Sequence, residues 1–170
     1  MKFPNPKYSR RGQALIEFMI YFPLTLIFAF SLLEMGMEFN VSQKVTNVSR
    51  EAANAALRAC GTQAADPTAM GVCLENIAYP TVENIAKNSF KDYLSSGQVI
   101  LSVYWNGGNA CFSGGKEATC TNSRFNAANL QDLIDKFDMI FVGEFIYDYK
   151  ALINLNFFKV PTLIYDYTIF

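Results

Sequence analysis

The sequence contains no histidine, a single tryptophan and only four cysteines among its 170 residues. Without histidine, the usual Ser-His and Cys-His nucleophile systems and imidazole metal sites are excluded. Cysteine alone does not replace them, because Cys60, Cys73, Cys111 and Cys120 include no C-x2-C pair. Gly107-Gly108 and Gly114-Gly115 lack the following Lys-Ser/Thr of a phosphate loop and read as turns. Glu144 and Asp148, four apart on a strand-like run, share a face. A solitary acid pair of this kind reads as solvated surface rather than a glycosidase site. The expectation is therefore a protein with no catalytic residue, no metal and no cofactor, and not an enzyme.

Acidic residues are missing from Met1 to Gly12, where Lys2, Lys7, Arg10 and Arg11 stand, and nearly missing from the apolar run after it. Ala14 to Leu33 is 20 residues long with one charged side chain, Glu17. A helix needs about 20 mostly apolar residues to cross a bilayer, so this stretch reads as a membrane span. The basic flank predicts a cytoplasmic N-terminus, with everything after Leu33 outside. An acid inside a span costs a few kcal/mol and marks a functional position, so Glu17 needs a partner. Removing the four basic residues of the leader leaves 10 basic against 15 acidic residues. A negative exported portion argues against nucleic-acid binding, which needs a basic face.

The basic leader ending Arg10-Arg11-Gly12, the step to Glu17 and the unbroken apolar run resemble a type IV prepilin processing site. Glu34-Met35-Gly36, the run from Glu38 to Asn47 and Ser49-Arg50-Glu51-Ala52-Ala53 narrow this to the TadE family. That family comprises minor pilins or pseudopilins of the tight-adherence (Flp) pilus machinery, and Pro23 also suits it. The resemblance implies cleavage after Gly12 by a prepilin peptidase, freeing the amine of Gln13 one helical turn from Glu17. It also implies assembly with other pilin subunits and an assembly platform at the inner membrane, with Gln13, Glu17 and Pro23 as assembly residues. The alternatives are a major subunit of a similar filament, or an uncut membrane-anchored exported domain, including an enzyme.

Residues 1–12 read as the leader, 13–60 as one long helix and 61–170 as an exported periplasmic or extracellular α+β domain. Pro23 is expected to bend or loosen the helix. Beyond the span, Val41, Val45, Val48, Ala52, Ala55 and Ala59 form a helical stripe that suits packing on the protein's own domain better than a coiled coil. Gly61 ends the helix, and Gly61 to Gly71 reads as a small-residue loop in which Asp66-Pro67-Thr68 marks a restart. Pro80 then opens a second helix marked by Val82, Ile85, Ala86, Phe90 and Tyr93 or Leu94, which stops at Ser95-Ser96-Gly97.

From Gln98 the pattern alternates as a strand, whereas Gly107 to Asn126, rich in Gly, Ser, Thr and Asn, reads as an exposed loop. Leu130 to Phe137 suits a short helix. Ile140 to Tyr149 and Thr162 to Phe170 are strands, joined by a connection over Ala151 to Pro161. The strands are expected to form a small antiparallel sheet of three or four members. All four cysteines would lie outside the cytoplasm, where disulfides persist. Three pairings are possible, and proximity in the chain favours Cys60 with Cys73 and Cys111 with Cys120.

Overall fold

A computed structural model describes residues 10–62, 66–117, 119–151 and 163–170, with side chains from Gln13 onward. The expected leader up to residue 9 and the connection over 152–161 lie outside the described residues. The fold is α+β: a long apolar N-terminal helix, short helices and a four-stranded antiparallel sheet in the order β2 (Gly108–Gly115), β1 (Gly97–Trp105), β3 (Met139–Asp148), β4 (Leu163–Ile169).

Helix α1 runs from Arg10 to Cys60, 51 residues, or about 75 Å at 1.5 Å per residue. Pro23 does not interrupt it. Its most apolar 18-residue window has a mean hydropathy of 2.0, and none of that window is buried. Burial begins at Glu34 and then follows Val45, Val48, Ser49, Ala52, Ala53, Ala56 and Cys60. This is close to the stripe expected from the sequence, and it packs on the protein's own domain as expected, against the sheet and the helix from Tyr79 to Ser89. The helix ends where the Gly61 amide donates to the Leu57 carbonyl at 2.9 Å.

Helix α2 (Pro67–Cys73) starts at Asp66, whose side chain accepts from the Thr68 amide. It passes without a loop through a π-helical turn, Leu74–Ala78, into α3 (Tyr79–Ser89). This continuous helix corrects both the loop expected up to Gly71 and the helix start expected at Pro80. The buried residues explain the π turn. Met70, Leu74, Ala78, Val82 and Ala86 are spaced strictly by four. In an α-helix each step of four turns a residue about 40° past its predecessor, so such a stripe would wind off the core. A wider turn in the middle rotates it back. The second helix also ends sooner than expected: Phe90 is extended and packs on Tyr147, and only a short α4 (Tyr93–Ser96) follows.

Strand β1 (Gly97–Trp105) is buried along its whole length and pairs with both β2 (Gly108–Gly115) and β3 (Met139–Asp148). Strand β4 (Leu163–Ile169) pairs with β3. Strand β2 overturns the expected exposed loop from Gly107. Its Gly-Ser-Asn composition hides a strand because close packing, not β-propensity, selects those residues: a Cβ on Gly114 would overlap the ring of Tyr79. The rest of that stretch, with a 3-10 turn at Cys120–Asn122, lies over the outer face of the sheet. Helix α5 (Ala127–Phe137) covers the same face further along through Leu130 and Ile134.

Disulfides join Cys60 to Cys73 and Cys111 to Cys120, the pairing that proximity favoured. In the chain-entropy picture each closes a short loop and contributes about 3 kcal/mol.

Helix and sheet approach each other closely at Gly143. A Cβ there would overlap the Ala53 nitrogen and the Ser49 carbonyl and come within 2.9 Å of the Ala52 methyl. Gly143→Ala should therefore destabilise the protein by about 1–3 kcal/mol, the usual cost of overpacking. Thermal unfolding of the detergent-solubilised protein measures this, and an unchanged Tm would contradict the contact.

Candidate functional site

The N-terminal part of α1 presents large apolar side chains to the outside on every face, from Leu15 to Leu33. Within this surface the Gln13 side-chain amide donates to Glu17 Oε1 at 3.0 Å. Glu17 therefore has a local partner, four residues back on the same helix face. Gly12 and Gln13 are both helical, so the expected processing point lies inside α1 rather than at its start. Pro23 lies further along the same exposed stretch.

A second constellation joins this helix to the folded domain. Glu34, the first charged residue after Glu17, is 6% exposed, and its Oε1 accepts from the Tyr149 hydroxyl at 2.9 Å. Burial pushes Tyr149 up to about 12, helped by the hydrogen bond to Glu34 and the negative charges of Glu34 and Glu38. Beyond it, Ser49 Oγ, fully buried, donates to Asp166 Oδ2 at 3.2 Å and so ties α1 to β4. Domain contact thus begins one residue past the apolar stretch.

The TadE-like protein family model matches residues 12–54. That TadE-like segment lies wholly within α1: it begins at the expected processing glycine and ends within the stripe packed on the sheet. No curated protein and no solved structure matches the chain.

Outside the TadE-like segment, the acid pair read as solvated surface is corrected at Glu144. This carboxylate is completely buried at the centre of the sheet's outer face, opposite Ile100. Its Oε1 accepts from the Arg124 amide at 3.0 Å and from the Tyr165 hydroxyl at 2.6 Å, while Ser123 Oγ donates to Oε2. Asp148, on the same face, is partly exposed and pairs with Lys116. Asp148 borders a polar cleft of about 320 Å³ that Lys116, Arg124 and Tyr165 also line, whereas Glu144 is not among its lining residues. Among the described residues no group of three or more His, Cys, Asp or Glu could hold a metal ion.

Sequence reasoning missed Glu144, Tyr149 and Tyr165 as members of polar clusters. The one signal for them was a glutamate in an otherwise apolar run, Met139 to Tyr147. Its donors come from Ser123, Arg124 and Tyr165, about twenty residues away on either side, and no local pattern announces them.

Among the described residues six tyrosines hold their protons more tightly than usual. Burial raises Tyr79 and Tyr104. Burial also raises Tyr93, Tyr147, Tyr149 and Tyr165, and in these four hydrogen bonds to Tyr79, Asp92, Glu34 and Glu144 respectively add to the effect. Their folded values exceed the unfolded value of 10.0, so their stabilisation is full below pH 10.0 and is lost as pH rises through the folded values. The Tm should be level from about pH 8 to 10 and fall above it, with a shallower fall in Tyr149→Phe; melts across that range check this.

Proposed function

We propose that the chain is a non-enzymatic, pilin-like subunit of a tight-adherence system, a minor pilin or pseudopilin. The observation carrying this reading is the coincidence of the TadE-like match over residues 12–54 with a helix that is apolar and exposed in its first half and built into a folded domain in its second. Such a helix is long and apolar enough to anchor the protein in a bilayer by a single pass. The basic leader directs the N-terminus to the cytoplasm and the domain, with its two disulfides, to the periplasmic or extracellular side.

In this reading a prepilin peptidase cuts after Gly12 and frees the amine of Gln13. The new amine is the cationic partner that the span otherwise lacks. Glu17 leaves its side-chain contact with Gln13 and pairs with that amine, in a neighbouring subunit or its own. In lipid, where hydrophobicity adds little to association between spans, such a polar contact fixes partner and axial register. The partners are other pilin subunits, the inner membrane and the assembly platform, and the assembled product supports adhesion. Nucleic acid has no part in it.

Two outcomes test this. Gly12→Glu should leave an uncleaved, heavier species on a gel when the chain is expressed with its prepilin peptidase. Glu17→Ala should be processed normally but enter pili or assembly complexes about tenfold less, as expected for loss of a contact of about 1–2 kcal/mol. Incorporation of Glu17→Ala at wild-type level would contradict the pairing.

A further inference from the structure

The two disulfides differ in access. Cys60, the last residue of α1, and Cys73, the last of α2, are 0% and 3% exposed, within the core. Cys111 and Cys120 are only half-buried, on the outer face of the sheet. Thiol–disulfide exchange requires a thiolate to reach a sulfur, so an external reductant attacks the second bond first.

That bond sits where the outer face is most exposed to loss. Residues 119–124 belong to no strand and form no ladder; Cys120 joins them to Cys111 of β2. Otherwise they are held by side chains: Gln98 Nε2 donates to the Thr119 carbonyl at 2.9 Å, and Asn122 Nδ2 donates to Gln98 Oε1 at 2.9 Å. The same short segment supplies two of the three donors on Glu144, the Ser123 hydroxyl and the Arg124 amide. A fully buried carboxylate that loses its donors is costly to the folded state.

We propose that Cys111–Cys120 is a redox latch for Glu144. When it is closed, the segment covers the carboxylate and completes the polar cleft lined by Lys116, Arg124, Asp148 and Tyr165. When it is open, the segment lifts, Glu144 loses Ser123 and Arg124, and the outer face loosens while the β1–β3 ladder stays intact. Closure is an exchange with an external disulfide: the two cysteine thiols give up two protons and two electrons, their S–S bond forms, and the donor's disulfide becomes two thiols. The latch itself rests only on these contacts and on the difference in access. Its timing, closed only after export, rests on the orientation given under Proposed function.

The full chain in detergent micelles tests the latch apart from that orientation. Mild thiol treatment followed by alkylation should label Cys111 and Cys120 and leave Cys60 and Cys73 bonded. Hydrogen exchange should then show the Arg124 amide losing protection while Leu101 in β1 keeps it. The drop in Tm on reduction should be about twice as large in wild type as in Glu144→Gln, because the neutral amide is less costly to strand. Equal drops in the two proteins would mean that the bond acts only by restraining the unfolded chain, and the latch would be wrong. Retained protection at Arg124, or labelling of Cys60 and Cys73 first, would overturn it in wild type alone, whether or not the variant folds. Labelling Lys44→Cys in cells with a membrane-impermeant thiol reagent tests the orientation separately. Absence of labelling would remove the export timing and leave the latch standing.

Discussion

The close approach of α1 to β3 is the constraint on which the rest of the structure depends. Alanines on the helix and a glycine on the strand allow backbone to meet backbone at Gly143, Ala53 and Ser49. Small side chains at such a crossing give many contacts for little lost side-chain entropy. They also leave no room for adjustment. The helix that carries the apolar surface is therefore the central rod of the domain, not a stalk attached to it. Glu34 with Tyr149 and Ser49 with Asp166 fix the same rod at two further points.

The sheet divides the polar residues between its faces. On the inner face, Phe145 packs on Phe90, which follows α3, and on Tyr93 of α4, with few polar groups. The outer face is covered by α5 at one end and by the segment held through Cys111–Cys120 at the other. Glu144 lies under that cover, so the domain has one core built by apolar packing and another built by directed hydrogen bonds. Buried networks of the second kind hold firmly when complete and fail together when one member leaves.

Much of this was legible in the sequence. The long helix, its buried stripe at 45, 48 and 52, strands β1, β3 and β4 and both cysteine pairings follow from periodicity, end signals and proximity. The failures share one physical origin. Strand β2 is made of residues chosen for the space left by Tyr79 and Tyr93, so its composition imitates a loop. The π turn answers a stripe spaced by four over five successive residues, which is visible only once they are known to face one core. Glu144 was misread because alternation gives the face of a residue but not what covers that face. The basic-to-apolar border draws attention to residues 12, 13 and 17 in the sequence alone, whereas the Glu34–Tyr149 contact spans 115 positions and leaves no local trace.

The junction at Glu34 has a steric consequence for any array of these molecules. Packed helices lie 8–10 Å apart, whereas four strands about 4.8 Å apart make the sheet alone about 15 Å wide. Because the domain grips the helix from the first residue past the apolar stretch, no spacer lets it swing clear of its neighbours. Two copies can meet at one height with their domains turned apart. A longer straight row in helix-to-helix contact at one height leaves each domain less width than its sheet occupies. Displacing each member along its axis from the last relieves that crowding, as a staircase does.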